Sequence, residues 1–498
     1  MSSPWNSLSP EIRLYVLQDL LRDGYPMSRV VTVSREWQAE IERRNFSRIK
    51  LTLARLDDFR VMVQRNRDVV KYIWFCLELD EYDCRLCSAC PFRSLQANAD
   101  DERRVTTEFR KLISTLSVWD HHGQLTLDIS VYSPSDSRHW FKYLTNEPDA
   151  PFDMTVSHAV EKSRSEGDFT DTHHGRVDGY RQSTPSLGAI RKIFNTVLDD
   201  GPFGDDPINH CWWNRLPYVP AVTTILLRQQ SRRQWRPESL AHMFARFPNL
   251  QEIHHEPWRE RCMCANCQRW TDETCLVDAE TQYLLESMAR CNRSLKKLVI
   301  FENFNQQYPI FIQKVIHGVD HSARENFRNP SPDIALMLVL TSPNFETLAA
   351  SFITDASYFF RVEPDMEWPN LKSIVLTSRL FTPDVDSGKI QEMLQAAANA
   401  AARMPRLETM EVWNGRKGLA ALFRYQAFPK FQRAAITWRA TWELALGLDF
   451  VREHLEETDI KSHGDALQHL ELRTEAIRPI SVQQIQREQM AMEGIDTV

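Results

Sequence analysis

Apolar residues recur at helical spacing near the start of the chain. Ile12, Val16 and Leu20 fall at i, i+4 and i+8, with Leu17 and Leu21 beside them, so one wide helix face is apolar. Ser9 stands at the N-cap, Pro10 at the first helical position and Glu11 near the positive end of the dipole. Gly24-Tyr25-Pro26 then stops the helix. A second amphipathic run sets Val30, Val33, Trp37 and Ile41 against Arg35, Glu36, Glu40 and Arg43. Helices this short cannot bury so much apolar surface among themselves. Part of it must meet a partner or the rest of the chain.

The period then changes to two. Strands are expected at 46–53, 69–79 and 124–131, with helices at 56–63 and 104–116 between them. That order, without hairpin turns, is what parallel strands joined by helices require. Residues 145–185 carry few aliphatic side chains and much Ser, Asp, His and Gly, and read as a long loop or disordered insertion. A helix follows at 186–197. Further strands are expected at 222–227, 250–255, 295–301, 345–352, 371–377, 407–413, 434–438 and 467–472. Helices are expected at 239–247, 279–290, 333–340 and 389–403, the last with an Ala-rich centre.

One phrase recurs at the helix-to-strand turns. Phe247-Pro-Asn-Leu250-Gln-Glu-Ile253, Ser294-Leu295-Lys-Lys-Leu298, Trp368-Pro-Asn-Leu371-Lys-Ser-Ile374 and Met404-Pro-Arg-Leu407-Glu-Thr-Met410 share one shape, as do Pro343-Asn-Phe345-Glu-Thr-Leu348 and Ala466-Leu467-Gln-His-Leu470. Each opens a short strand with Leu or Phe, two mostly polar residues and a further apolar position. The phrase resembles the Leu-x-x-Leu-x-Leu core of a leucine-rich repeat, in which one strand face fills the interior. Most copies lie further apart than the ~20–29 residues of a regular repeat, so long insertions must separate them. The alternative is a non-repetitive α/β domain.

The N-terminal stretch resembles an F-box: Leu8-Ser-Pro10-Glu11-Ile12, then Val16-Leu17-Gln-Asp-Leu20, then Val30 to Val33-Ser34-Arg35-Glu36-Trp37. Ser9 and Ser34 stand where that family more often carries Pro and Cys. The resemblance implies that Leu8, Pro10, Ile12, Val16, Leu17 and Leu20 dock a Skp-type adaptor, with Val30, Val33 and Trp37 fixing the module's helices. The adaptor would link the chain to a cullin complex, and a protein substrate of unknown identity would bind the remainder. The whole chain is similar to large fungal-type F-box proteins. The expected architecture is therefore α/β: a helical F-box module over residues 1–50, then an irregular leucine-rich-repeat-like solenoid over 51–498 with a polar insertion near 145–185. A repeat scaffold that recruits no ligase is the other reading.

Composition narrows the partners. A net charge of −7 offers no basic footprint for nucleic acid or an anionic membrane, and Arg232, Arg233 and Arg236 read as solvated faces. Residues 1–25 lack a signal-peptide pattern, and no apolar run is long enough for a bilayer. A cytoplasmic or nuclear protein with reduced cysteines is expected.

Candidate chemistry is sparse. Cys84, Cys87 and Cys90 have the two-residue gap of zinc knuckles, but a tetrahedral site needs four ligands and no His lies close in sequence. Free thiols in an insertion loop are the plainer reading. Cys262, Cys264, Cys267 and Cys275, preceded by His254-His255, form a second candidate cluster with an irregular ligand spacing. No cofactor is assigned. The pairs His121-His122, His173-His174 and His254-His255 read as solvated. Hydrolase, metalloprotease and nucleotide-loop motifs are missing, so a non-catalytic receptor subunit is expected. Trp212, Trp213, Trp235, Trp258, Trp270 and Trp413 read either as binding hot spots or as plugs at irregular junctions.

Overall fold

A computed structural model describes residues 5, 8–22, 34–84, 91–119, 123–141, 171–174, 176–177, 180–181, 185, 187–198, 206–258, 270–302, 330–361, 366–416, 419–428 and 433–442. The strands are β1 (Arg48–Thr52), β2 (Tyr72–Glu78), β3 (Leu125–Tyr132), β4 (Arg176–Val177), β5 (Tyr180–Arg181), β6 (Thr196–Val197), β7 (Val222–Leu227), β8 (Gln234–Trp235), β9 (Glu252–His255), β10 (Lys297–Phe301), β11 (Thr347–Ser351), β12 (Ser373–Thr377), β13 (Thr409–Arg416), β14 (Leu419–Phe428) and β15 (Arg433–Ala440). The helices are α1 (Pro10–Arg22), α2 (Arg35–Ser47), α3 (Leu53–Met62), α4 (Pro91–Leu116), α5 (Leu187–Ile193), α6 (Asp206–Arg215), α7 (Pro237–Phe244), α8 (Trp270–Cys291), α9 (Pro332–Thr341), α10 (Ala356–Phe359) and α11 (Ser387–Ala401).

Eleven strands form one open sheet in the order β1-β2-β3-β7-β9-β10-β11-β12-β13-β14-β15. Neighbours are parallel from β1 to β13, and β14 and β15 add antiparallel strands. Pairs β4–β5 and β6–β8 stand outside it. The fold is mixed α/β.

Register explains how the sequence builds this. One row crosses every strand: Ile49, Ile73, Leu127, Ile225, Ile253, Leu298, Leu348, Ile374, Met410, Tyr425 and Ile436. Most of these side chains are buried in a single cluster with Phe109 and Leu112 of α4, Leu240 of α7, Leu285 of α8, Leu338 of α9 and Leu394 of α11. The helices therefore cover the face to which this row points. Each β–α–β return needs that cover, because parallel strands are stable only when their apolar face is buried.

The recurring phrase has a backbone cause. Leu250, Leu295, Phe345, Leu371 and Leu407 each donate an N–H to the carbonyl three residues earlier, at 2.9–3.4 Å. The following residue then reaches across to the previous copy: Gln251 to Thr223, Lys296 to Gln251, Glu346 to Lys296, Lys372 to Glu346 and Glu408 to Lys372, all at 2.7–2.8 Å. Each tight turn thus delivers the next strand in register, with its Leu or Phe at most 4% exposed.

Several expectations change. The helix expected at 186–197 ends at Ile193; the chain then turns into β6, and Leu198 takes a left-handed φ of 56°. Such a conformation costs roughly 1–3 kcal/mol. Here the Leu198 N–H donates to both Glu102 carboxylate oxygens at 2.8 Å. Within the expected loop at 145–185, residues 172–174 form a 3-10 turn and β4 pairs with β5. The pattern predicts neither strand β14 nor helix α6. The strand expected at 467–472 lies outside the described residues.

Candidate functional site

The N-terminal helix pair is held by a few specific contacts. Ser34 caps α2, its Oγ accepting from the Trp37 N–H at 3.2 Å. The Trp5 and Trp37 rings sit 5.2 Å apart, and Arg13 pairs with Glu36 at 3.2 Å. The Glu11 carboxyl is held below its ordinary pKa by a backbone hydrogen bond and then by Ser9, as an acid in a first helical turn should be. Leu17 is 2% exposed and Ile41 1%. Helix α2 runs straight into β1, and its Glu42 takes Arg65 at 2.5 Å and Asn66 at 3.3 Å. Helix α2 is thus fastened to the sheet.

Helix α1 keeps another face open. Leu8 is 39% exposed, Ile12 48% and Val16 38%, with Pro10 and Tyr15 also exposed. Of the other positions implied by the F-box resemblance, Leu17 faces inward and Trp37 is half-buried against Trp5. Val30, Val33 and the side chain of Leu20 lie outside the described residues. Leu8, Ile12 and Val16, four residues apart, thus share one exposed apolar stripe.

The sheet face turned away from the helices has its own row: Lys50, Trp74, Asp128, Leu226, His254, Val299, Ala349, Val375, Glu411 and Arg424. At its β1–β7 end polar groups are knitted together. The Lys50 ammonium lies 4.2 Å from the Trp74 ring centroid, Trp74 Nε1 donates to Ser130 Oγ at 3.0 Å, and Asp128 takes the Tyr72 hydroxyl at 2.5 Å and Arg228 at 2.8 Å. Burial raises the Asp128 pKa, opposed by Arg228. Desolvation and Asp128 also raise the Tyr72 phenol.

A third group gathers beyond the C-terminal ends of β2 and β3. Tyr82 N–H donates to Ser135 Oγ at 3.0 Å, Ser133 Oγ donates to the Asp80 carbonyl at 2.8 Å, and Asp136 takes Arg233 at 3.0 Å. On this frame Cys84 meets His139 and His174. Asp171 backs His174, and the Tyr82 carbonyl backs His139. No histidine lies close to Cys84 in sequence; His139 and His174 are 55 and 90 residues away, and only the fold brings them there. Cys87, Cys90, Cys262, Cys264 and Cys267 lie outside the described residues, and Cys275 sits in α8 with its side chain likewise undescribed.

Other readings also need correction. Arg232 and Arg233 are buried rather than solvated: Arg233 donates to the Ile193 carbonyl at 2.7 Å as well as to Asp136, and Arg232 lies 4.2 Å over Trp258. Arg236 is half-buried against Glu280 at 2.8 Å. Trp212, Trp213, Trp235, Trp258 and Trp413 are all buried, which makes them plugs rather than exposed anchors; the side chain of Trp270 is undescribed. His254 and His255 belong to β9, and burial pushes both down to about 4. His121 and His122 lie outside the described residues.

Residues 290–478 match a family of unknown function, DUF6546. That stretch begins just before β10, runs past β15 and covers less than half of the chain. No F-box or leucine-rich-repeat family is detected, and no curated protein matches the chain.

Proposed function

We propose that this chain is the substrate-recognition subunit of a Skp–cullin–F-box ubiquitin ligase. Residues 1–50 would be the F-box module, and the remaining chain an irregular leucine-rich-repeat-like solenoid that holds a protein target. The observation that carries this reading is the uncovered stripe of Leu8, Ile12 and Val16 on α1, a helix otherwise held through Leu17 and the Arg13–Glu36 pair. An adaptor helix laid along it would use such i, i+4 anchors. The repeated turn and in-order parallel strands suit a solenoid, and the half-buried run from Leu226 to Arg424 on the sheet face away from the helices, apolar in its middle and charged at its end, is where a target would lie. Ubiquitin transfer would follow from proximity: holding the target beside a charged enzyme raises its effective concentration, and no catalytic side chain is required here.

A repeat scaffold without a ligase is the second reading. Its support is the fastening of α2 to the rest of the chain, Phe46 packing on the core under the sheet and Glu42 holding Arg65, as an end cap would be. Copurification separates the two. The double variant Ile12→Asp, Val16→Asp should fold with an unchanged melting temperature, because both positions are exposed, and should lose a Skp-type adaptor that the wild type retains. Equal adaptor recovery from both proteins, or none from the wild type, refutes the ligase assignment.

A further inference from the structure

His139 Nδ1 and His174 Nε2 face each other at 3.1 Å, and Cys84 Sγ lies 3.4 Å from each. What stands behind each ring fixes its tautomer. His139 Nε2 is 3.2 Å from the Tyr82 carbonyl oxygen, which only accepts, so Nε2 carries the hydrogen and Nδ1 a lone pair. His174 Nδ1 is 2.7 Å from the Asp171 carboxylate, so its Nε2 also presents a lone pair. Two imidazole lone pairs and a sulfur therefore converge on one point, an arrangement that repels itself unless a cation lies at the centre.

We propose that Cys84, His139 and His174 bind a zinc ion that ties three distant segments together. Zinc–nitrogen bonds of about 2.05 Å and a zinc–sulfur bond of about 2.3 Å at the tetrahedral angle set nitrogens about 3.3 Å apart and sulfur about 3.6 Å from each. The observed 3.1, 3.4 and 3.4 Å describe one face of such a tetrahedron, leaving the fourth corner for another donor or water. Mixed thiolate and imidazole ligation favours zinc over the oxygen-seeking magnesium and calcium. A carboxylate behind one metal-bound histidine and a carbonyl behind the other is the supporting shell that orients such ligands. His174 is buried, while Cys84 and His139 are half-buried.

The position gives the ion a structural task. Cys84 follows β2, His139 follows β3, and His174 lies 35 residues further along, in the turn at Thr172–His174. The ion would thus hold His139 and the turn at Thr172–His174 together beyond the C-terminal ends of β2 and β3. That edge is where ligands of open parallel sheets bind. Its role as a clasp is independent of adaptor docking at α1.

The rival occupant is a proton, with a His174 imidazolium donating to His139. Metal content decides between them. Full-length wild type, C84S, H174Q and a control C262S/C264S/C267S are purified without chelator and their zinc measured by plasma mass spectrometry. The wild type should hold one equivalent more than C84S or H174Q, and the control should keep that equivalent. Cobalt-loaded control protein supplies a second measurement that does not depend on the folding of either site variant: tetrahedral d–d absorption with a thiolate-to-cobalt charge-transfer band is expected. Equal zinc in wild type and C84S, or a cobalt spectrum without sulfur charge transfer, overturns the proposal.

Discussion

At the residue scale, several side chains take their properties from burial more than from their own type. Arg233 and Asp136 form a pair with side chains 1% and 4% exposed. A desolvated pair of this kind is tolerated because Arg233 also finds the Ile193 carbonyl and Asp136 the Ser133 N–H. His255 shows the converse. It lies on the covered side of β9, opposite Ile300, and burial lowers its pKa from 6.5 to about 4. A folded-state pKa below the unfolded one means that the unfolded chain binds the proton first. Stability from the neutral ring is thus intact above about pH 6.5, falls as pH drops towards 4, and levels below that. The slope in that window is up to ~1.4 kcal/mol per pH unit. Urea midpoints of the wild type should fall more between pH 7.5 and pH 5 than those of His255→Leu. An identical fall in both would show that His255 does not titrate between the two states.

At the element scale, the repeated turn poses a question of cause. Glu346 sits between Lys372 at 2.7 Å and Lys296 at 3.8 Å, and Lys372 holds its carboxyl below the ordinary value. This charge ladder follows the backbone relay from strand to strand. The three side chains are 37–57% exposed, and ion pairs of that exposure contribute at most ~1 kcal/mol. Leu348, two residues further on, is fully buried in the apolar row. Removing its side chain should cost ~2–5 kcal/mol. Chemical denaturation should therefore place Glu346→Gln near the wild type and Leu348→Ala far below it. If the two variants are equally destabilised, charge rather than the apolar row holds the turns.

At the scale of the whole molecule, the two N-terminal helices have different allegiances. Helix α2 continues into β1 and is fixed by Phe46 on the core and by Glu42 to Arg65, whereas α1 is joined through Leu17, Arg13 and the Trp5–Trp37 contact. A chain beginning at Ser34 should keep its fold and its cooperative melting while losing the proposed adaptor binding. Removal of residues 1–47 should strip Phe46 from the core and lower solubility, since newly bared apolar surface invites association. Static light scattering and thermal melting of the two truncations check this. Aggregation of the first, or a well-behaved second, would assign the helices the other way round. No helix among the described residues is long and apolar enough to cross a membrane.

The sequence by itself determined where the parallel strands of the sheet lie. The expected 222–227 is β7 to the residue, and 371–377 and 295–301 overlap β12 and β10 to their last residues, because alternation and tight-turn chemistry are local. It also marked the α1 face, since helical periodicity needs only neighbouring residues. The antiparallel end of the sheet, the burial of Arg233 and the tryptophans, and the inward turn of Leu17 were decided by tertiary packing. So was the meeting of Cys84 with His139 and His174. Those groups lie 55 and 90 residues from Cys84, and no spacing rule spans such gaps. Parallel strands carry their following loops to the same edge of a sheet, and it is that shared edge, rather than any motif, that sets a thiol beside two imidazoles.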